Sequence, residues 1–531
     1  MKFREYRKAV LVTLGALLTT SVAAGCSQSA EKPATSTQGS AQSAAPTQSA
    51  QPSTEKPIEI SWMVPQLTEE NSYGQKLIEE KYNVKIKPYL IAYADYAQKQ
   101  QITLGGGEIP DVMMVLDPVS LQKFASQGLL AEVPVDTIAQ NMPKYKETLD
   151  KDVKQGWYYS LYDGKNYGIP TFYPGGRFNA KAEWRTDLLK KAGIDKIPAT
   201  IDEMTTAFEA LKKIGVYGLS SGAPNNAWFA LFKQIFPAYG TVPPQWTLKD
   251  GKVVNGAVQP EAKAALTQLA NWYKKGYIDP DFVTGKEYRE KFIAGKLAYY
   301  DYGGLLDLDE TNASSMISLA KQTNPESKIE FAPLPQGPGG QGDWAWGAAG
   351  NIIAFGKQLE DDPEKMKKVM EIIEATDMTE QGFQELALGK QGEHWDYKDA
   401  AKMEAGGAKL LPPYDNVDKR LGIGLGDGGS FNPFTRQFAA EITDKWNTEM
   451  IEIAQKYNMP KVDLFGKPDV LPSSGKYWAD LVKLKNETYI SIITGAKPVS
   501  DFDVFVKQWN ELGGAQLEKE ANEMYTQVNK K

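Results

Sequence analysis

Apolar strands alternate with amphipathic helices between residues 58 and 116, and this order constrains the fold more than any other feature of the sequence. Residues 58–64 (IEISWMV) first alternate between apolar and polar side chains and then run apolar, as in a strand that enters a covered sheet. Apolar residues at helical spacing follow, and then a second short strand at residues 84–90. Residues 112–116 (VMMVL) are apolar throughout, which is typical of a parallel strand buried on both faces. This alternation predicts an α/β fold.

The first 25 residues predict a secretory leader that ends at a cysteine. Four basic residues precede an apolar run at residues 9–22, which is too short to span a bilayer as a lasting helix. Small residues at 23–25 then lead to Cys26, and this arrangement resembles the lipobox of bacterial lipoproteins. The resemblance implies cleavage before Cys26 and attachment of a diacylglycerol lipid to its sulfur. Cys26 is the only cysteine, so the alternative is a chance cysteine beside an ordinary secretory cleavage site.

Residues 26–57 consist mainly of Ser, Ala, Gln, Thr and Pro, and they predict a flexible tether because they cannot bury enough apolar surface to fold. The folded region therefore starts near Ile58 and contains about 475 residues, which predicts two lobes rather than one core. Without its leader the chain has a formal charge of about −10 instead of −7, which argues against nucleic acid and anionic lipid as partners.

Seven short motifs occur in order along the chain: LGGGEIPDVMMVLDP at residues 104–118, FASQGLLAEVP at 124–134, YGIP at 167–170, FIAGKLAY at 292–299, GKQGEHW at 389–395, IITGAKP at 492–498 and WNELGG at 509–514. Their order resembles the extracellular solute-binding proteins of carbohydrate ABC importers, often called family 1. The last three motifs resemble the long subgroup of lipoproteins that import oligosaccharides or modified sugars.

This resemblance implies a two-lobe, periplasmic-binding-protein-like α/β fold with a ligand cleft between the lobes. By this analogy, lobe one comprises residues 58–172 and 328–385, and lobe two comprises residues 173–327 and 386–531. The resemblance also implies hinge closure over a carbohydrate and a membrane permease that reads the closed form. The expected protein is a monomer, held at the extracellular face of the cell membrane by its lipid, with no cofactor and no catalysis.

A sugar site needs stacking aromatic rings and hydrogen-bonding carboxylates or amides, because sugars present flat C–H faces and hydroxyl groups. Loops that follow strands are the expected places in α/β sheets. Tyr93 follows the second predicted strand, Asp117 follows the third, and Trp228 lies in an Asn-Asn-Ala-Trp loop. Tyr302 follows the strand predicted at residues 297–301, where related sugar receptors use an aromatic residue. Asp117 can instead cap a helix that starts at the following proline, and Tyr93 can equally be a packing residue.

Three further tryptophans are candidate ligand contacts. Trp344 and Trp346 lie in a glycine-flanked segment (GDWAWG), and we expect one of them to face the cleft. Trp395 belongs to the GKQGEHW motif, and its alternative role is a structural wedge between the lobes. Arg177 and Arg185 can contact an acidic sugar, although the alternative for an arginine near Asp187 is a surface ion pair.

Enzymatic motifs are present only as weak matches. GLSSG at residues 218–222 fits the G-x-S-x-G nucleophile pattern, but no helix start follows Ser220, as a nucleophile elbow requires. Residues 424–429 fit G-x-G-x-x-G without a strand before them or a helix start after them. His394 is the only histidine, and the calcium loop of some relatives lacks its clustered carboxylates here, so we predict no metal site.

Three alternatives stay open at the level of sequence. A secreted carbohydrate-active hydrolase needs a carboxylate pair, and the separation of such a pair is a three-dimensional property. A receptor for a non-sugar solute such as a peptide has the same fold as a sugar receptor. A surface adhesion protein binds polymer without closure of two lobes.

Overall fold

The predicted order of strand, helix, strand, helix and strand is confirmed at the start of the folded region. In a computed structural model of the protein, these elements are β1 (Ile58–Pro65), α1 (Tyr73–Tyr82), β2 (Val84–Ile91), α2 (Tyr93–Gly105) and β3 (Val112–Val115). β3 is buried at every position, as its continuous apolar sequence predicts. Asp117 then caps the next helix, as the Asp-Pro pair predicts, because its carboxylate accepts the backbone N–H of Ser120 at 2.7 Å.

The structure describes residues 56–65, 68–222, 231–310, 313–345, 347–403, 407–426 and 439–529. These residues belong to one compact unit. The later strands are β4 (Leu161–Tyr162), β5 (Lys165–Asn166), β6 (Ile169–Phe172), β7 (Lys181–Arg185), β8 (Trp246–Lys249), β9 (Lys252–Asn255), β10 (Tyr299–Gly303), β11 (Ile329–Ala332), β12 (Asp343–Ala345), β13 (Ala349–Phe355), β14 (Trp395–Tyr397), β15 (Ala408–Leu410) and β16 (Pro460–Val462).

Helices fill most of the remaining sequence and cover the sheets. They are α3 (Pro118–Ser126), α4 (Val135–Asn141), α5 (Pro143–Asp152), α6 (Thr186–Lys191), α7 (Ile201–Lys213), α8 (Ile235–Ala238), α9 (Pro260–Lys274), α10 (Tyr288–Ile293), α11 (Met316–Thr323), α12 (Pro363–Asp377), α13 (Glu380–Phe383), α14 (Val417–Gly422), α15 (Ala440–Trp446), α16 (Thr448–Lys456), α17 (Ser474–Ile493), α18 (Asp501–Trp509) and α19 (Ala515–Asn529). None of the helices in the described ranges combines the length and apolar character that a membrane span requires.

The first sheet has five strands in the order β2-β1-β3-β13-β6. β1 runs parallel to β2 and β3, whereas β13 runs antiparallel to β3 and β6. The sequence predicts that β3 runs parallel to its neighbours. This is correct for its pairing with β1 and wrong for its pairing with β13. The difference arises because β13 comes from a distant part of the chain. The local sequence around β3 gives no information about such a partner.

The second sheet has three antiparallel strands in the order β10-β7-β11. β10 begins two residues later than the strand predicted at residues 297–301, because Leu297 forms a separate bridge with Tyr217. Tyr302 therefore lies inside β10 and not after it. β11 pairs with β7, so the second sheet takes a strand from the segment 328–385 that the sequence assigns to lobe one. The two sheets give the two-lobe α/β fold.

Two segments that connect the sheets lie against each other: residues 173–177, which follow β6, and residues 347–348, which precede β13. We call them the paired crossovers. The backbone N–H of Tyr173 donates to the carbonyl of Ala348 at 2.5 Å. Gly176 packs so closely on the carbonyl of Gly347 that a Cβ atom at position 176 has no room. The paired crossovers are therefore in direct backbone contact.

Candidate ligand-binding site

A cavity of about 590 Å³ lies beside the paired crossovers. Side chains from the first crossover, the end of β10, β12, α15 and α16 line it, together with Lys233. Sites for small molecules typically measure about 300–1,000 Å³, so the cavity is large enough for a ligand. Because its walls come from the first crossover and from the end of β10 in the second sheet, a ligand here would contact the segment that joins β6 to β7.

Aromatic rings on two strands face this cavity. Tyr302 on β10 and Trp344 on β12 are half-buried and both line it, as does Tyr173 on the first crossover. The Nζ atom of Lys233 lies 4.4 Å from the ring centroid of Tyr302 and 5.7 Å from that of Trp344. An ammonium group at this distance is attracted to the negative face of a ring. Lys233 therefore holds the two rings in a fixed relation to each other.

A buried polar network lies beneath the rings. The Oδ1 atom of Asp343 is 3.2 Å from Nζ of Lys233, and both side chains are almost fully buried. The Nε2 atom of Gln234 donates to Oδ2 of Asp343 at 2.8 Å and to the carbonyl of Asp301 at 3.1 Å. Burial raises the pKa of Asp343 to about 7 and that of Asp301 to about 6, while the Lys233 charge opposes both increases. Trp344 follows Asp343 directly, so this network anchors its backbone.

Arg177 and Asp444 form an ion pair on the cavity wall. The Nη1 and Nη2 atoms of Arg177 donate to the two carboxylate oxygens of Asp444 at 3.1 and 2.7 Å. Its Nε atom donates to the carbonyl of Pro174 at 2.7 Å. Such two-point pairing fixes the geometry of both groups and ties the first crossover to α15. The sequence offers Arg177 as a contact for an acidic sugar, and that contact stays a prediction.

The structure brings together two of the predicted ligand residues, Tyr302 and Trp344, in one cavity. Tyr93 begins α2 and is 47% exposed, and it does not line this cavity. Asp117, which caps α3, does not line it either. Ligand contact by Tyr93 and Asp117 stays a prediction. The predicted residues Trp228 and Trp346, and the lipid attachment residue Cys26, lie outside the described residues.

Two other predicted contacts, Trp395 and Arg185, are buried and bonded to other residues of the protein. Trp395 is 2% exposed, its indole N–H donates to the carbonyl of Gly389 at 2.9 Å, and its ring packs on Trp446. These contacts support the structural role that the sequence offers as its alternative. Arg185 is also 2% exposed and donates to both carboxylate oxygens of Asp187 at 2.9 and 2.8 Å. The ion pair expected at the surface is therefore buried instead.

Ser220 of the weak G-x-S-x-G match and His394 each form contacts with other parts of the protein. The hydroxyl of Ser220 donates to Asp279 at 3.3 Å, in a buried position. The ring of His394 packs between the edges of Tyr73 and Tyr414, and its Nδ1 atom accepts a backbone N–H. In the described ranges, no group of three or more His, Cys, Asp or Glu side chains is arranged to hold a metal ion.

Sequence reasoning missed Tyr173, Lys233 and Asp444. Tyr173 follows the YGIP motif by three residues, so the motif gave a usable signal for it. Lys233 interrupts an apolar run (FALFKQIF), and a lysine in such a setting indicates a buried charge with a specific partner. Asp444 carries no local signal, because its partner Arg177 lies 267 residues away in the chain.

Comparison with known proteins gives a consistent result. A family model described as Bacterial extracellular solute-binding protein matches residues 65–355. Lipoprotein LipO of Bacillus subtilis (strain 168) is 22% identical over 488 residues, which cover 87% of this chain and 90% of that relative. A crystal structure of alginate-binding protein AlgQ2 without calcium ion superposes with a TM-score of 0.63 at 19% identity, covering 89% of this chain and 99% of the other. The S. pneumoniae ABC-transporter substrate binding protein FusA in complex with kestose gives a TM-score of 0.62 at 18% identity, with the same coverage. At these identities the solved structures establish a shared two-lobe fold.

Proposed function

This chain belongs to the bacterial extracellular solute-binding protein family, and from this premise we propose that it is the lipid-anchored receptor of an ABC importer for an oligosaccharide. The observation that carries the proposal is the pair of rings, Tyr302 and Trp344, in a cavity of about 590 Å³. Flat aromatic faces complement the C–H faces of sugar rings, and the carboxylates of Asp307 and Asp444 in the same wall accept hydrogen bonds from hydroxyl groups.

Hinge closure over the ligand is part of this proposal, and the place of the cavity supports it. A ligand that contacts both Tyr173 and Tyr302 is held by the first crossover and by the second sheet at once. Contacts that exist together only in the closed form shift the population toward that form. The membrane permease of the importer then binds the closed form. The relatives named for alginate and kestose support a carbohydrate as the solute.

A thermal-shift screen of residues 55–531 against plant, algal and microbial oligosaccharides tests this proposal, with chemical analysis of each sugar after incubation. A sugar present at about a hundred times its Kd should add about 2.7 kcal/mol to the free energy of unfolding, which raises Tm measurably. We expect at least one oligosaccharide to raise Tm and to be recovered intact. Recovery of cleaved sugar contradicts a receptor and indicates a hydrolase. No response to any sugar, with a response to peptides, contradicts the carbohydrate assignment.

The lipid anchor is tested separately, in a bacterial host that processes lipoproteins. With the natural sequence, we expect radioactive palmitate to label the protein and the membrane fraction to contain it. The Cys26→Ala variant should lose both the label and the membrane association, because the sulfur that carries the lipid is absent. The Ser27→Ala variant, which keeps the cysteine, is the matched control. Labelling of the Cys26→Ala variant contradicts anchoring through this residue.

A further inference from the structure

Charge pairing in the cavity wall limits which oligosaccharide fits the proposed site. Five charged side chains of the described residues line the cavity: Arg177, Lys181, Lys233, Asp307 and Asp444. Three are cations and two are carboxylates, and the buried Asp343 carboxyl group lies 3.2 Å from Nζ of Lys233. Each of the three cations therefore has an ion-pair or hydrogen-bond partner within the protein before any ligand enters.

The two lysines are already bound within the protein. Lys233 is paired with Asp343 at 3.2 Å. Lys181 is 1% exposed, and its Nζ atom donates to the carbonyl of Ala454 at 3.3 Å. That carbonyl lies in the last turn of α16, where the helix dipole favours a positive charge. Burial lowers the pKa of Lys181 to about 8. Because its ammonium group is buried and already bonded within the protein, Lys181 is not available to bind a ligand.

The two carboxylates have different surroundings. The Oδ2 atom of Asp307 accepts the backbone N–H of Gly304 at 2.5 Å. Burial and the nearby Asp307 carboxylate raise the pKa of Glu183 well above its usual range. Asp444 has 33% of its side chain accessible and is paired with Arg177. Each carboxylate oxygen has lone pairs left for hydroxyl donors.

Arg177 is the cation that a ligand can reach, since 28% of its side chain is exposed. However, Asp444 accepts one N–H from each Nη atom of its guanidinium group, and the carbonyl of Pro174 accepts the Nε–H. The two other N–H groups lie on the same Nη atoms, so an acidic sugar that binds Arg177 must either lie beside the Asp444 carboxylate or displace it. Like charges in such proximity repel, and the repulsion penalises the acidic ligand.

Resting on the proposed function, we infer that the cavity selects uncharged oligosaccharides and that Asp444 sets this selectivity by holding Arg177. The hydroxyl groups of a neutral sugar donate hydrogen bonds to Asp307 and Asp444 without breaking any ion pair. Asp444 is thus a specificity-determining residue, and its removal should free Arg177 for a carboxylate on the ligand.

Matched sugar pairs that differ only at carbon 6 test the inference. The probes are β-1,4-mannotetraose with β-1,4-tetramannuronate, and cellotetraose with its fully C6-oxidised form, together with the hit from the screen and its C6-charged or C6-reduced counterpart. Isothermal titration on residues 55–531 should give a Kd at least tenfold lower for the neutral member of a bound pair. That affinity should change less than twofold between 20 and 200 mM NaCl, because no ion pair to the ligand forms.

The Asp444→Asn variant should reduce the neutral-to-acidic ratio of affinities at least tenfold. Asp480→Asn, which removes the same charge from an exposed position on α17, should leave the ratio unchanged. Preference of the natural protein for the acidic member, or an unchanged ratio in Asp444→Asn, overturns the inference while the receptor function stands. The salt series on the natural protein gives an answer even if Asp444→Asn does not fold. Absence of binding by every saccharide instead contradicts the proposed function itself.

Discussion

The Lys233 ammonium lies 4.4 Å from the ring centroid of Tyr302, 5.7 Å from that of Trp344 and 3.2 Å from the Asp343 carboxylate. Three side chains of the candidate site therefore contact one buried charge. Removing one partner of a buried ion pair leaves the other uncompensated, which is costlier than losing an exposed pair. At the scale of residues, the site consists of paired charged side chains in contact with aromatic rings.

Lys233→Met should lower the free energy of unfolding by about 3–5 kcal/mol at pH 8, because the buried Asp343 carboxyl group then has no cation and must either stay ionised without a partner or keep its proton at a pH well above its unfolded pKa. The loss should be smaller at pH 5.5, because Asp343, with a pKa of about 7 in the natural protein, is then protonated and carries no charge. Urea unfolding at both pH values measures the difference. The double variant Lys233→Met with Asp343→Asn should recover part of the loss at pH 8. Equal losses at both pH values contradict this account of the pair.

Tyr302→Ala and Trp344→Ala should each raise the Kd for the bound oligosaccharide about tenfold or more, since each removes a stacking face from the cavity. Tyr302→Phe keeps the ring and should lose less affinity. Tyr217→Ala, at an exposed tyrosine that does not line the cavity, is the control and should bind normally. If all four variants bind equally well, the sugar occupies another site. Titration calorimetry gives the Kd values.

A distinctive local sequence pointed to two residues that line the cavity, and their contact with a ligand stays a prediction. Tyr302 was a candidate because it follows the strand predicted at residues 297–301, and Trp344 because of its glycine-flanked segment. Asp444 could not be found, since its role depends on Arg177, which is 267 residues away. Trp395 was a candidate because of its motif, yet tertiary packing places it among other rings in the core. Sequence pattern gives the type of side chain, whereas the partner is set by the fold.

At the level of elements, the β1-α1-β2-α2-β3 order was predictable because each element has a local signature: alternation, helical spacing, or a continuous apolar run. Pairing between strands was not predictable in the same way. β11 pairs with β7 in the second sheet, and β13 joins the first sheet from a distant part of the chain. The lobe edge at residue 328 stays a prediction, because sheet membership depends on contacts between distant segments.

Gly176→Ala should disturb the paired crossovers, because a Cβ atom there meets the Gly347 carbonyl. We expect a loss of about 1–3 kcal/mol in the free energy of unfolding, as in other overpacked sites, and a weaker affinity for sugar. Gly105→Ala, where the added Cβ meets no neighbouring atom, is the matched control and should change neither quantity measurably. Urea unfolding and titration calorimetry test both. Unchanged sugar affinity in Gly176→Ala would falsify the link between the crossovers and the site.

At the scale of the whole molecule, buried carboxyl groups make stability depend on pH. Burial raises the pKa of four aspartates to about 6 or 7: Asp301, Asp343, Asp463 and Asp469. The folded state therefore binds more protons than the unfolded state between about pH 4 and pH 7. The stability from these protons is complete below the unfolded pKa, and it is lost as the pH rises through the folded pKa values.

The free energy of unfolding should therefore fall by about 2 kcal/mol or more between pH 5 and pH 7.5, since one pKa unit corresponds to about 1.4 kcal/mol. Urea unfolding at pH 5, 6 and 7.5 measures the fall. Asp463→Asn, which removes one of these groups, should have a shallower pH dependence. The exposed variant Asp480→Asn should follow the natural protein. A rise in stability over this range contradicts the inferred protonation of the buried aspartates.

The contact between residues 173–177 and 347–348 bears on how the protein would respond to ligands of different size. These segments are tied by a backbone hydrogen bond, so in the proposed hinge closure they would move together. Tyr173 belongs to the first segment, and Trp344 lies three residues before the second. If the lobes turn about these segments, an occupant of the cavity would set the final angle between the lobes through its thickness, and a small difference in thickness would become a larger displacement far from the hinge. A permease that binds the closed form would then distinguish ligands by a surface that none of them touches.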